Sequence, residues 1–131
     1  MKQKKLVFIL CFLLLLSGCS RKKQTNPTQV VSHADIIFTQ GEESHTLSYK
    51  HPKKLEAILN YLRTLRYQGK DDPKQNGSNL IDIKLYMTNG TCRTYRQQDY
   101  AYLCRNGGPW KKIDPMQGRS LMVLLKLMPP D

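Results

Sequence analysis

The chain has 131 residues, a length that points to one domain. It carries 21 Lys and Arg against 10 Asp and Glu, a formal charge of +11, with 40% hydrophobic and 24% charged residues. That balance supports a modest globular core and excludes a polytopic membrane protein, a collagen, a coiled-coil rod, wholesale disorder and a large multidomain enzyme. The first element is Lys2, Lys4 and Lys5 followed by an unbroken apolar run from Leu6 to Leu16. As a helix this run would span about 16 Å at 1.5 Å per residue. A bilayer core is about 30 Å thick, so the run suits the hydrophobic segment of a signal peptide better than a membrane span.

Leu16-Ser17-Gly18-Cys19 closes the run. Leucine, two small residues and a cysteine resemble the lipobox of bacterial lipoproteins. The resemblance implies that the Cys19 thiol receives a diacylglyceryl group and that a peptidase cleaves before it, removing residues 1–18. Cys11 lies inside the apolar run without small residues before it and reads as filler. A chain beginning at Cys19 would keep 18 basic residues against 10 acidic ones, a charge of +8. Two or more acyl chains would hold it stably on a cell membrane or outer membrane, facing away from the cytoplasm and not spanning the bilayer. Residues 19–29 are then anchor and tether, because Ser20–Gln29 has no apolar residue to bury and would extend at most about 35 Å. Arg21, Lys22 and Lys23 would sit beside the headgroups, each adding up to about 1 kcal/mol on an anionic surface. Linker solubility explains them equally well.

Residues 30–131 are expected to fold. Val30–Thr39 is β-branched and reads as a strand, with a turn at Gln40–Glu43 and a return strand over Ser44–Lys50. Pro52 suits the first position of a helix. Leu55, Ile58, Leu59, Leu62 and Leu65 then form one apolar stripe, predicting a helix to about Tyr67. Gln68–Ser78 reads as a polar loop. Leu80–Thr88 alternates, with Ile81, Ile83, Leu85 and Met87 inward and Asp82, Lys84, Tyr86 and Thr88 outward. Asn89-Gly90 predicts a two-residue type I′ hairpin into a strand over Thr91–Gln97. A turn near Gln98 leads to Tyr100–Arg105, and a short strand over Pro109–Ile113 follows. Asp114-Pro115 reads as a cap and first turn of a final helix to about Met128, striped by Leu121, Leu124, Leu125 and Met128. The expected fold class is α+β: an antiparallel sheet of five or six strands with two amphipathic helices on one face, in the order ββα-βββ(β)α.

This register carries consequences for side chains. With the second turn centred on Gln98, Cys92 and Cys104 become direct cross-strand partners, close enough for a disulfide, which an exported domain would retain. Two buried thiols are the alternative. Leu85, Met87, Cys92, Tyr100, Tyr102 and Cys104 would share the core face. Tyr86, Tyr95, Lys84 and Arg93 would share the other, where ordinary strand composition or a surface for sugars or anionic polymer both account for them. His33 and Asp35 lie on one strand face with His45 in the return strand, a grouping that reads as exposed strand residues rather than a metal site. No motif for nucleotide, metal-protease or serine-hydrolase chemistry is present. No catalytic residue, metal or cofactor is therefore expected. The leading expectation is a non-enzymatic, membrane-anchored binding or accessory module of the cell envelope. Its partners would be membrane lipid through acylated Cys19, and anionic lipid, an envelope polymer or an envelope protein rather than nucleic acid. A small envelope hydrolase or modifying enzyme is the alternative.

Overall fold

A computed structural model describes residues 30–73 and 79–131. The expected signal segment, Cys19, Arg21, Lys22 and Lys23 lie outside the described residues, as does part of the expected polar loop. The element order is β1 (Val31–Gln40), β2 (Glu43–Tyr49), α1 (Pro52–Thr64), β3 (Tyr67–Lys70), β4 (Asn79–Met87), β5 (Cys92–Gln98), β6 (Tyr102–Arg105), β7 (Lys111–Ile113) and α2 (Pro115–Leu127). The fold is α+β with one antiparallel sheet, as expected, but the sheet has seven strands in the order β2-β1-β4-β5-β6-β7-β3. The additional strand is β3, in what reads as loop. Its sequence YQGK has no alternating apolar pattern and all four residues are exposed, so pairing with β7 defines it rather than burial.

Both helices begin as their sequences imply. Pro52 and Pro115 occupy the first turn, His51 Nδ1 accepts from the Lys53 N–H at 3.3 Å, and Asp114 Oδ1 accepts from the Met116 N–H at 3.0 Å. Leu55, Ile58 and Leu65 are buried while Leu59 and Leu62 are half-buried, because Tyr61 takes the central inward position on α1. In β4 the alternation holds throughout: Ile81, Ile83, Leu85 and Met87 are buried and the residues between them are half-exposed. Ala34, Ile36 and Tyr49, Ile81–Leu85 at alternate positions, Leu103 and Ile113 pack against Leu55, Ile58, Tyr61, Leu121 and Leu125 in one core. Every sheet residue in that core points to the same side, so the helices share one face and the other face is wet.

The hairpin registers differ from expectation. At Asn89-Gly90 only Gly90 has positive φ (86°), the Gly90 N–H bonds to the Met87 carbonyl at 3.0 Å, and the Met87 N–H bonds to the Thr91 carbonyl at 2.8 Å. This is a three-residue loop with a glycine bulge rather than a two-residue turn. Asn89 instead spends its carboxamide oxygen on the Thr91 N–H (3.0 Å) and hydroxyl (2.7 Å), which favours the longer loop. Cys92 therefore pairs with Tyr86 and not with Met87. A one-residue slip moves every side chain of a strand to the other face. The next turn falls later too, with positive φ at Asp99 (50°) and Tyr100 (62°), so Cys104 pairs with Arg96.

Candidate functional site

Helix α2 crosses the sheet so that Met122, Leu125 and Lys126 overhang the end of the β1–β2 hairpin and the start of β4. The space between holds a pocket of about 300 Å³. Its walls are Phe38, Leu47, Ile81, Tyr100, Met122 and Leu125, and Gln40, Glu43, His45, Asn79 and Lys126 supply its polar atoms. An apolar interior with a few polar groups at this volume is the usual form of a small-ligand site, at the lower end of the size range. The His45 ring stacks on Phe38 with 5.1 Å between centroids and 20° between planes. Glu43 and His45 are two apart on β2 and so face the same way.

Tyr100 is the unusual wall residue. It sits at φ 62°, in the left-handed region that a bulky side chain enters only at a cost of order 1–3 kcal/mol. The turn is held there from beneath. Gly118 packs its α-carbon on the Tyr100 peptide, and a Cβ at that position would lie 1.9 Å from the Tyr100 carbonyl oxygen. Beside this contact, Gln97 is almost fully buried, accepting a hydrogen bond from the Tyr61 hydroxyl and donating through Nε2 to the Gly118 carbonyl at 3.1 Å. Burial drives the Tyr61 hydroxyl far above its ordinary range, partly offset by Gln97, so it remains a proton donor. One glutamine thus ties α1, β5 and α2 together below the pocket.

A second anchor holds the far end of α2. The Asp131 carboxylate accepts from the Lys50 and His51 N–H groups, the latter at 2.6 Å, and pairs with Lys54 at 2.7 Å. The Tyr49 hydroxyl donates to the Met128 carbonyl at 3.0 Å. The Lys54 bond, followed by the two backbone donors, brings the Asp131 carboxyl down to about 2.

The expected Cys92–Cys104 disulfide is not formed. Cys92 is an exposed free thiol and Cys104 a buried free thiol. Both lie on the wet face, and the residue opposite Cys104 is Arg96, four positions along β5 from Cys92. At about 3.3 Å per residue that is roughly 13 Å, well beyond the 7 Å limit for a bridge. Burial raises the Cys104 thiol above its ordinary value, against the pull of neighbouring Arg96. Arg96 itself forms a bidentate pair with Asp82, at 2.8 and 3.0 Å. The expected grouping of Tyr86, Tyr95, Lys84 and Arg93 is divided by the same slip: Tyr86 and Lys84 stay on the wet face, while Tyr95 pairs with core Ile83 and Arg93 with Leu85. His33 and Asp35 share the wet face of β1 as expected, and only His45 lies apart from them. His33 stacks on Tyr86 at 4.3 Å, Asp35 accepts from the Ser48 hydroxyl at 2.7 Å, and His45 is at the pocket on the other face. Among the described residues no three His, Cys, Asp or Glu side chains gather as a metal site would need, and no helix is long and apolar enough to cross a membrane.

Comparison with protein-family models, with curated proteins and with solved structures gives no match for this chain.

Proposed function

We propose that this protein is a lipid-anchored binding module of the bacterial envelope, and that its ligand site is the pocket between α2 and the β1–β2–β4 end of the sheet. The anchor rests on Leu16-Ser17-Gly18-Cys19. The binding role rests on one observation, an apolar pocket whose wall includes a non-glycine residue in the left-handed region. Such strain persists where the surroundings over-determine it, and it concentrates at ligand sites. The pocket also lies away from the tether. Val30 meets the sheet beside Thr88, whereas the pocket opens at Phe38–Gln40. The ten residues of β1 separate these points by about 30 Å. A ligand with an apolar body would fill the interior and present a polar group to Lys126, Glu43, His45 or Asn79.

The seven strands, two helices and core of the described residues all fall within 30–131, which is the unit to test. Anilinonaphthalene sulfonate, an apolar fluorophore with one negative charge, should bind at a single saturable site. Met122→Trp, which fills the pocket, should weaken that binding at least tenfold with the melting temperature little changed. Binding that ignores Met122→Trp contradicts the assignment.

A second reading draws on His45 and Glu43 at the same mouth. A histidine beside a carboxylate and an apolar pocket can act as general base toward water in ester hydrolysis. Hydrolysis of a nitrophenyl ester well above the rate with free imidazole, lost in His45→Ala, would favour this reading over binding alone.

A further inference from the structure

The register shift that separates the thiols also builds a cluster on the helix side of the sheet, remote from the pocket. Tyr95 on β5 pairs directly with Arg105 on β6, and the guanidinium lies 5.9 Å from the Tyr95 ring centre. Lys111 on β7 pairs with Leu103, two residues from Arg105, so the two cations are diagonal neighbours on one face, about 7–8 Å apart at the backbone. The Lys111 ammonium lies 5.0 Å from the centre of the Tyr67 ring on β3. Tyr67 is half exposed. Its hydroxyl is raised by burial and by Tyr95, with Arg105 opposing, so the Tyr67 phenol keeps its proton and can donate a hydrogen bond. Lys70 is the direct cross-strand partner of Lys111. Like charges placed opposite one another destabilise a sheet. Asp71 and Asp72 follow Lys70, yet neither of the ion pairs among the described residues involves Lys70, Arg105 or Lys111. The result is two cations braced on aromatic faces and a third beside them. An oxyanion seated there would turn the repulsion into attraction and accept bonds from every member.

We propose that Tyr67, Tyr95, Arg105 and Lys111 form a binding site for a phosphate-type oxyanion. Arg105 and Lys111 supply charge and donors, Tyr67 and Tyr95 hold them in place, and Lys70 adds charge at the rim. The site is independent of the pocket and stands whether or not the pocket binds a ligand. A phosphate on a soluble molecule and a phosphate in a lipid headgroup have the same chemistry, so the test separates them.

The full chain in neutral detergent is titrated with inorganic pyrophosphate by calorimetry. One-to-one binding is expected, weakened at least tenfold in Arg105→Gln and in Lys111→Gln. It should be unchanged in Arg63→Gln, which removes an equal charge from the exposed side of α1. None of the three variants should melt below the parent, since all three side chains are exposed and removing Lys111 relieves its repulsion with Lys70. The titration is repeated on protein in phosphatidylcholine vesicles with and without phosphatidylglycerol. Competition by phosphatidylglycerol identifies a headgroup as the source, and undiminished binding identifies a soluble phosphate. Absence of pyrophosphate binding, or equal weakening by Arg63→Gln, overturns the site.

Discussion

A Cβ at Gly118 would overlap the Tyr100 carbonyl, and the clash is with backbone, so no side-chain rotation relieves it. Gly118→Ala should cost at least the 1–3 kcal/mol typical of overpacking, measured by urea unfolding. Tyr61→Phe keeps the ring but leaves the buried Gln97 oxygen without its donor, a loss of about 1–3 kcal/mol. Tyr100→Gly separates strain from ring. It removes the left-handed penalty and the pocket wall together, so probe binding should fall while stability changes little. Neither Gly118 nor Gln97 stands out in sequence. A glycine in the first turn of a helix and a glutamine in a polar strand both look ordinary, because the partner that gives each its meaning is far away in the chain. A run of Asp99-Tyr100 without glycine hides its turn type for the same reason.

At the level of elements, local pattern and long-range pairing part company. The helices, their proline starts and the inward face of β4 are legible because each depends on spacing within one segment. The hairpin registers are not, because a side chain such as Asn89 chooses between loops of two and three residues through hydrogen bonds that composition does not rank. That one-residue choice decides the fate of both cysteines. Alkylation without reductant, followed by peptide mass mapping, should modify Cys92 rapidly and Cys104 only on unfolding; failure of both to react in denaturant without reductant would restore a bridge. The Asp131 latch gives an element-scale pH dependence. Its carboxyl titrates near 2 in the folded protein against an ordinary 3.8, so its contribution is complete above about 4 and is lost as pH falls toward 2. Asp131→Asn should therefore be less stable than the parent at pH 6, with the two denaturation midpoints converging near pH 2.

At the scale of the whole molecule, the fold class is legible and its edge is not. β3 has no apolar alternation, yet it adds Tyr67 and Lys70 to a surface that β5, β6 and β7 otherwise leave incomplete. The pocket is equally hidden, since its walls come from β1, β2, β4, the β5–β6 turn and α2. What consecutive residues do carry is the lipobox-like Leu16-Ser17-Gly18-Cys19 on which the proposed anchor rests. The charge of +11 divides accordingly. Six of the basic residues precede Val30, and the folded domain is left with fifteen against ten acidic residues, a moderate +5. A moderately basic domain on a short basic tether fits a protein held close to a membrane by acyl chains, with its pocket turned outward. The most direct test is expression of the full chain in a bacterium with radiolabelled palmitate, followed by fractionation and intact-mass measurement. The account predicts a labelled membrane-bound chain that begins at Cys19, with label and cleavage both lost in Cys19→Ala. An unlabelled chain that keeps residues 1–18, or label that survives Cys19→Ala, would contradict it.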